Sequence, residues 1–148
     1  MVGGSRCDER VASIAERVGQ EIARRGGVLV SGGRGGVMEA ASRGASEAGG
    51  LTVGILPGPD ASAANAFVEI PIPTGMGEAR NVVNVRAGDV VIALPGSYGT
   101  LSEIAFAVGA GIPVVAVPPV PPGVEVVEAA TAEEAVAVAF ELAGERGG

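Results

Sequence analysis

Residues 89–103 read DVVIALPGSYGTLSE, and this stretch decides the fold. Val90 to Leu94 are all apolar, a run too short for a core helix and suited to a strand buried on both faces. The run passes directly into Pro95-Gly96-Ser97-Tyr98-Gly99-Thr100, and an apolar-periodic segment over Leu101 to Ala110 then predicts a helix. Strand, glycine loop and helix in this order form the βα junction of a parallel sheet. The helix N-terminus there carries unsatisfied N–H groups and the positive end of the dipole. Gly96 and Gly99 let the backbone approach a ligand closely, and Ser97 and Thr100 add hydroxyls. The loop from Gly96 through Tyr98 to Thr100 is therefore the leading phosphate-binding candidate. The plainer alternative is a strand-to-helix turn with Thr100 as N-cap.

Two upstream junctions have the same form. SGGRGGVM, Ser31 to Met38, sets Gly32, Gly33, Gly35 and Gly36 around Arg34, leaving room for a phosphate or ribose. Its alternative is a turn with Arg34 solvated. Gly3-Gly4-Ser5-Arg6 is a weaker third junction, with Gly4 and Ser5 as candidates. None matches G-x-G-x-x-G with its downstream acid. Three glycine junctions at strand carboxyl ends nonetheless form one concave rim.

The remaining pattern alternates strands and helices. Apolar spacing predicts helices over Arg10–Arg24, Val37–Ala48 and Glu78–Ala87, with Gly26-Gly27 and Gly49-Gly50 closing the first two. Strands are predicted over Val28–Val30, Leu51–Leu56, Phe67–Ile70 and Val114–Val117, with Val124–Val127 as a last edge strand. Ala61–Ala66 reads as loop. The Pro- and Gly-rich stretch down to Gly77 and the later PPVPPG also read as loops. Thr131 to Glu134 form a capping box for a final helix to about Ala143, and the Glu-Arg-Gly-Gly end is expected to fray. The expected fold is α/β: a Rossmann-like, doubly wound, mainly parallel sheet with helices on both faces. Residues 1–148 read as one nucleotide-binding domain. Only Met1-Val2 precede the first glycine junction, which implies either a truncated first strand with translation starting upstream or a fold that tolerates a very short one.

Composition narrows the chemistry. The chain has 148 residues, enough to bury roughly 68–70% of its unfolded surface. It has no histidine, which excludes histidine bases, serine–histidine triads and histidine-ligated metals. All ten basic residues are arginine, which excludes a pyridoxal phosphate Schiff base and a Walker-type lysine. Cys7 is alone, so no disulfide framework or cysteine metal cluster forms within the chain, and no metal site is expected. A net charge of −7 without a basic stripe argues against nucleic acid. No apolar run reaches the roughly 18 residues of a membrane span, and no signal peptide opens the sequence. The expected setting is the cytoplasm.

Two charged residues compete between plain and chemical roles. Thr100-x-x-Glu103 has capping-box spacing, so on sequence alone the Glu103 carboxylate is expected to satisfy the Thr100 N–H. Arg80, in TGMGEARN, reads on its own as a solvated helix residue. Met38 and Met76 are apolar surfaces on which a purine would lie, with core packing the favoured reading for both.

The runs SGGRGGVMEAA, TGMGEARN and LPGSYGTLSE, in this order, strongly resemble the LONELY GUY (LOG) and SLOG superfamily, from about Gly3 to Val117. The most similar branch includes molybdenum-cofactor carrier-like proteins. LOG enzymes cleave the N-glycosidic bond of nucleoside 5′-monophosphates to give base and ribose 5-phosphate. The resemblance implies Glu103 as the glutamate of P-G-G-x-G-T-x-x-E and Arg80, 23 residues earlier, as the catalytic arginine. The carboxylate would stabilise the developing oxocarbenium ion, and the arginine would hold phosphate or departing base. Two departures stand out: Ser97 replaces the motif's second glycine, and Asn81 replaces the lysine that follows the arginine. The resemblance implies a nucleotide or pterin-phosphate ligand, no resident cofactor and a homodimer. It places a phosphoribohydrolase first and a non-catalytic carrier or sensor of a ligand such as molybdenum cofactor second. A lysine-decarboxylase label, often given to such proteins, is excluded by the absent lysine.

Overall fold

The structure, a computed structural model, describes residues 1–146. It is the expected α/β fold, with every strand pairing parallel. Strands β1 (Leu29–Ser31), β2 (Thr52–Leu56) and β3 (Ile70–Pro73) form one half-sheet, and β4 (Val91–Ala93), β5 (Val114–Ala116) and β6 (Val127–Glu128) the other. Met1 and Val2 lie between the halves. Val2 bridges in parallel to Ala93, and the Met1 ammonium donates to the Val30 carbonyl at 2.9 Å. The strand order therefore reverses at this central segment, and ligands of such sheets bind at the carboxyl ends beside the reversal.

Five helices cover the sheet: α1 (Glu9–Arg24), α2 (Val37–Glu47), α3 (Arg80–Arg86), α4 (Tyr98–Gly109) and α5 (Ala132–Arg146). The apolar stripe of α1 buries Val11, Ala15, Val18 and Ile22 against α2 and α5, and its N-terminus is capped by Asp8, which accepts from Val11 N–H at 2.8 Å. A second core, under α3 and α4, gathers Val2, Val85, Val91, Ile104, Ala107 and Val114.

Several boundaries differ from expectation. β1 starts at Leu29, because Val28 stands half-exposed at the sheet's amino edge. β3 lies on Ile-Pro-Ile-Pro rather than on Phe67–Ile70. An edge strand pairs on one side only, so prolines without N–H are tolerated there. The expected strand is instead pinned by buried Thr52, whose hydroxyl donates to the Phe67 carbonyl and accepts from the Glu69 N–H. Asp60 caps a short 3₁₀ turn, Ala61–Ala63, where loop was expected. A second such turn, Gly77–Ala79, precedes α3. The last strand shifts from Val124–Val127 to Val127–Glu128.

The helix after the glycine loop begins at Tyr98, three residues before the expected start, with Ser97 in the N-cap position but making no side-chain capping bond. Thr100 is thus inside the helix and is not its N-cap. At the C-terminal helix the capping box forms: Glu134 N–H donates to Thr131 Oγ1, and Glu134 Oε2 accepts from Ala130 N–H. That helix runs on to Arg146, which donates to the Gly111 carbonyl at 3.0 Å. Gly147 and Gly148, part of the expected frayed end, lie outside the described residues.

Candidate functional site

Four chain segments converge at the carboxyl ends of the central strands. They line a cleft of about 210 Å³ with Gly4, Ser5, Gly32, Met38, Arg80, Asn81, Ser97, Gly99, Thr100 and Glu103, joined by Met1 to Gly3 and Glu78. Eight sequence candidates therefore share one cavity. Gly33, Arg34, Gly35, Gly36, Gly96 and Tyr98 do not line it. Gly96 and the α2 loop shape its walls from behind: Val37 N–H donates to the Gly4 carbonyl and Gly4 N–H to the Pro95 carbonyl. Tyr98 stands in solvent, 88% exposed. Of the two methionines, Met38 is a buried wall of the cleft and Met76 is exposed outside it.

The α4 loop supplies donors. Among the described residues, no acceptor takes the N–H groups of Gly96 through Thr100; the first that bonds is Leu101, to the Ser97 carbonyl. Unpaired N–H groups at a helix start suit an anion. Ser97 sits at φ −109°, a conformation open to any small residue, so its replacement of glycine leaves the backbone path intact.

Arg80 is not solvated as its sequence position suggested. It is 9% exposed, and Nη1 donates to the carbonyls of Gly32 and Ile55, each at 2.6 Å. These carbonyls lie past β1 and near the end of β2, so the guanidinium is fixed to the sheet. Nε is buried without a partner. Among the described residues Nη2 makes no hydrogen bond, and it is not closed off, which leaves it as the donor for the cleft. Burial pulls the Arg80 pKa down, with Glu103 and Glu78 opposing.

Glu103 overturns the capping-box expectation. It lies beyond the first turn of a helix that starts earlier, 7% exposed, and Oε1 accepts from Asn84 Nδ2 at 2.8 Å. Burial raises its pKa, partly offset by the Asn84 hydrogen bond, the Met1 ammonium and Arg80. Among the described residues no ion pair joins Glu103 to Arg80, so both keep capacity for a ligand. Asn81, where a lysine was the family's pattern, donates to Ser102 Oγ at 3.2 Å, and Ser102 in turn donates to the Gly99 carbonyl. It braces the α4 loop. Sequence reading missed the roles of Asn84 and Ser102; the available signal was the i, i+4 spacing of Arg80 and Asn84 on a helix facing Glu103.

A larger cavity of about 450 Å³ opens between β1 and β4, lined by Val28, Val90, Phe140 and their neighbours. It contains neither Arg80 nor Glu103 nor any glycine of the three rim loops. No helix is long and apolar enough to cross a membrane, and no three metal-ligating side chains gather among the described residues.

Fold and cleft together define a Rossmann-like α/β protein with a polar cleft at the sheet's reversal point. The profile of the SLOG cluster4 family matches residues 1–143, and the chain belongs to that family. An uncharacterized protein of Archaeoglobus fulgidus is 48% identical over 138 residues, 92% of this chain and 89% of that one. A probable cytokinin riboside 5′-monophosphate phosphoribohydrolase of Oryza sativa subsp. japonica is 34% identical over 105 residues, 68% of this chain but 42% of its own length. The molybdenum cofactor binding protein of Rippkaea orientalis superposes with TM-score 0.89 and 38% identity, covering 95% of this chain and 93% of that one. The Moco carrier protein of Chlamydomonas reinhardtii gives 0.86 and 37%, covering 97% and 95%. The expected LOG and SLOG kinship, with carrier-like relatives, is thereby established.

Proposed function

We propose that this chain is a carrier that binds a phosphate-bearing pterin such as molybdenum cofactor. The observation that carries this reading is Asn81: the residue beside Arg80 is a neutral amide bonded to Ser102, and it braces the anion loop instead of adding a second cation to the cleft. Phosphate would lie against the N–H groups of Gly96 to Thr100 and Arg80 Nη2, with one ring against Met38. A cleft of about 210 Å³ takes a phosphate and the adjoining ring, while the rest of a larger ligand stays accessible for hand-over. The full-length likeness to two molybdenum-cofactor proteins supports the same ligand class.

The second reading is the phosphoribohydrolase, favoured by Arg80 and Glu103 lining one cleft without neutralising each other. Incubation with nucleoside monophosphates separates the two. Free adenine from AMP, lost in Glu103→Gln, overturns the carrier reading. Saturable binding of purified molybdenum cofactor with no base released from any nucleotide supports it.

A homodimer forms, on this reading, over the apolar outer face of α4, where Tyr98, Leu101 and Phe106 are exposed beside the cleft. Sedimentation should show a dimer, with Phe106→Glu shifting it to monomer.

A further inference from the structure

We propose that Asn84 is a positioning residue for Glu103: it holds one carboxyl oxygen against α3 and so presents the other to the ligand. The proposal deepens the ligand-site reading and rests on it for its functional meaning.

Asn84 does not line the cleft, so it acts through its neighbour. Its Nδ2 donates to Glu103 Oε1 at 2.8 Å, and both residues are buried. Glu103 Oε2 accepts nothing, yet it is not among the enclosed unpartnered atoms, so it is the oxygen the cleft can reach. Three titratable groups face Glu103: the Met1 amino group from the central segment, whose pKa burial lowers to about 6, Arg80 from α3 and Glu78 from the turn before α3. None forms an ion pair with it among the described residues. The Asn84 amide is the direct hydrogen bond that orients the carboxyl.

The other end of the amide is informative. Asn84 Oδ1 is buried and has no donor among the described residues, and Asn84 lines the larger cavity between β1 and β4. Leucine, similar in volume, would remove this unpaired acceptor but would leave Glu103 Oε1 without its donor. The Nδ2 end is the one that carries the contact with Glu103.

The test is a carboxyl titration by ¹³C NMR on ligand-free protein labelled at glutamate side chains, with the Glu103→Gln spectrum assigning the Glu103 signal. In Asn84→Leu the midpoint of Glu103 should rise by about one unit, because the hydrogen bond favouring the ionised form is gone while burial remains. The melting temperature should hold at low pH, where Glu103 is protonated, and fall modestly at neutral pH, where the ionised carboxyl has lost its donor. Asn84→Ala, which needs no extra room, should move the midpoint the same way. An unmoved midpoint in a folded variant overturns the proposal, as does collapse of both variants, which would assign Asn84 to the core alone. Binding of AMP and of molybdenum cofactor forms the second arm, expected to weaken about tenfold in Asn84→Leu. If the wild type binds neither while the midpoint still shifts, the ligand reading fails and the positioning of Glu103 stands.

Discussion

The two main glycine loops look alike in sequence and are built for different purposes. The loop before α2 needs Gly33 and Gly36 for its own backbone. Gly33 and Gly36 sit at φ +73° and +60°, and Gly36, the N-cap of α2, combines this with ψ −127°. A Cβ on Gly36 would strike the Gly4 carbonyl. The loop is also tied down: Asn65 donates from its backbone N–H to the Gly33 carbonyl and from Nδ2 to the Arg34 carbonyl at 2.8 Å. The loop before α4 has no glycine at positive φ, and a Cβ on Gly99 would meet nothing within 4 Å. Its N–H groups are free. Gly33, Gly36 and, in the α4 loop, Gly96, where a Cβ would strike Thr100 and the Gly4 backbone, are required by the fold; Gly99 is required, if at all, by whatever enters the cleft. A count of glycines cannot separate these causes, whereas substitution can.

The largest effect is expected on the folded side. Gly36→Ala forces an L-residue into a region that only glycine enters readily and against backbone atoms that have little freedom to yield. It should lower stability by about 3 kcal/mol or more, read as a fall in the calorimetric melting temperature. A fall of less than about 1 kcal/mol would break the comparison, since the α2 loop would then be as tolerant as its partner. Next comes Arg80→Met, which removes the donor to the Gly32 and Ile55 carbonyls that joins the α2 loop to the cleft. Stability should drop by about 2 kcal/mol and affinity for a phosphate-bearing ligand at least about tenfold. Loss of stability with affinity intact would make Arg80 a strut alone.

The fold was legible because its signals are local. Apolar runs too short for helices, closed by glycine and followed by helical periodicity, fixed the order of elements from α1 to α5 within a few residues. β3 escaped because its prolines oppose strand formation, and edge position with help from Thr52 outweighed that preference. The site was half legible. Glycine loops announced themselves, but Glu103 was drawn to a capping box that required the helix to begin at Thr100. Sequence spacing does not tell which of Ser97 and Thr100 is the cap, and that three-residue difference moves Glu103 from helix end to cleft wall. Asn84 and Ser102 were hidden because their meaning lies in a contact between α3 and α4.

On the α4 side, Gly99→Ala is the sharpest contrast with Gly36→Ala. The backbone is already helical and the space is open. Alanine in an early helix turn should leave stability unchanged or raise it by about 0.5 kcal/mol. Binding of AMP or molybdenum cofactor should still weaken about tenfold, because the new methyl group stands where a phosphate would meet the loop. Unchanged binding would remove Gly99 from the site while leaving the fold argument whole.

The smallest effect concerns the charge that the α4 side carries in place of backbone strain. Burial raises the pKa of Glu103 in the folded protein above its unfolded value. The folded state therefore binds this proton more tightly, and rising pH favours the unfolded state across the window from the usual carboxylate range up to the raised value. The contribution is fully present below that window and is lost as pH climbs through it. Glu103→Gln keeps an oxygen for Asn84 Nδ2 to bond and cannot ionise. Its denaturant midpoint should match the wild type at low pH and exceed it modestly at neutral pH, with the two curves separating through that window. Curves that stay parallel would show that Glu103 ionises as freely in the fold as in the unfolded chain. The cleft would then hold its carboxylate in water, and the contrast between a strained α2 loop and a buried charge beside the α4 loop would reduce to the glycines alone.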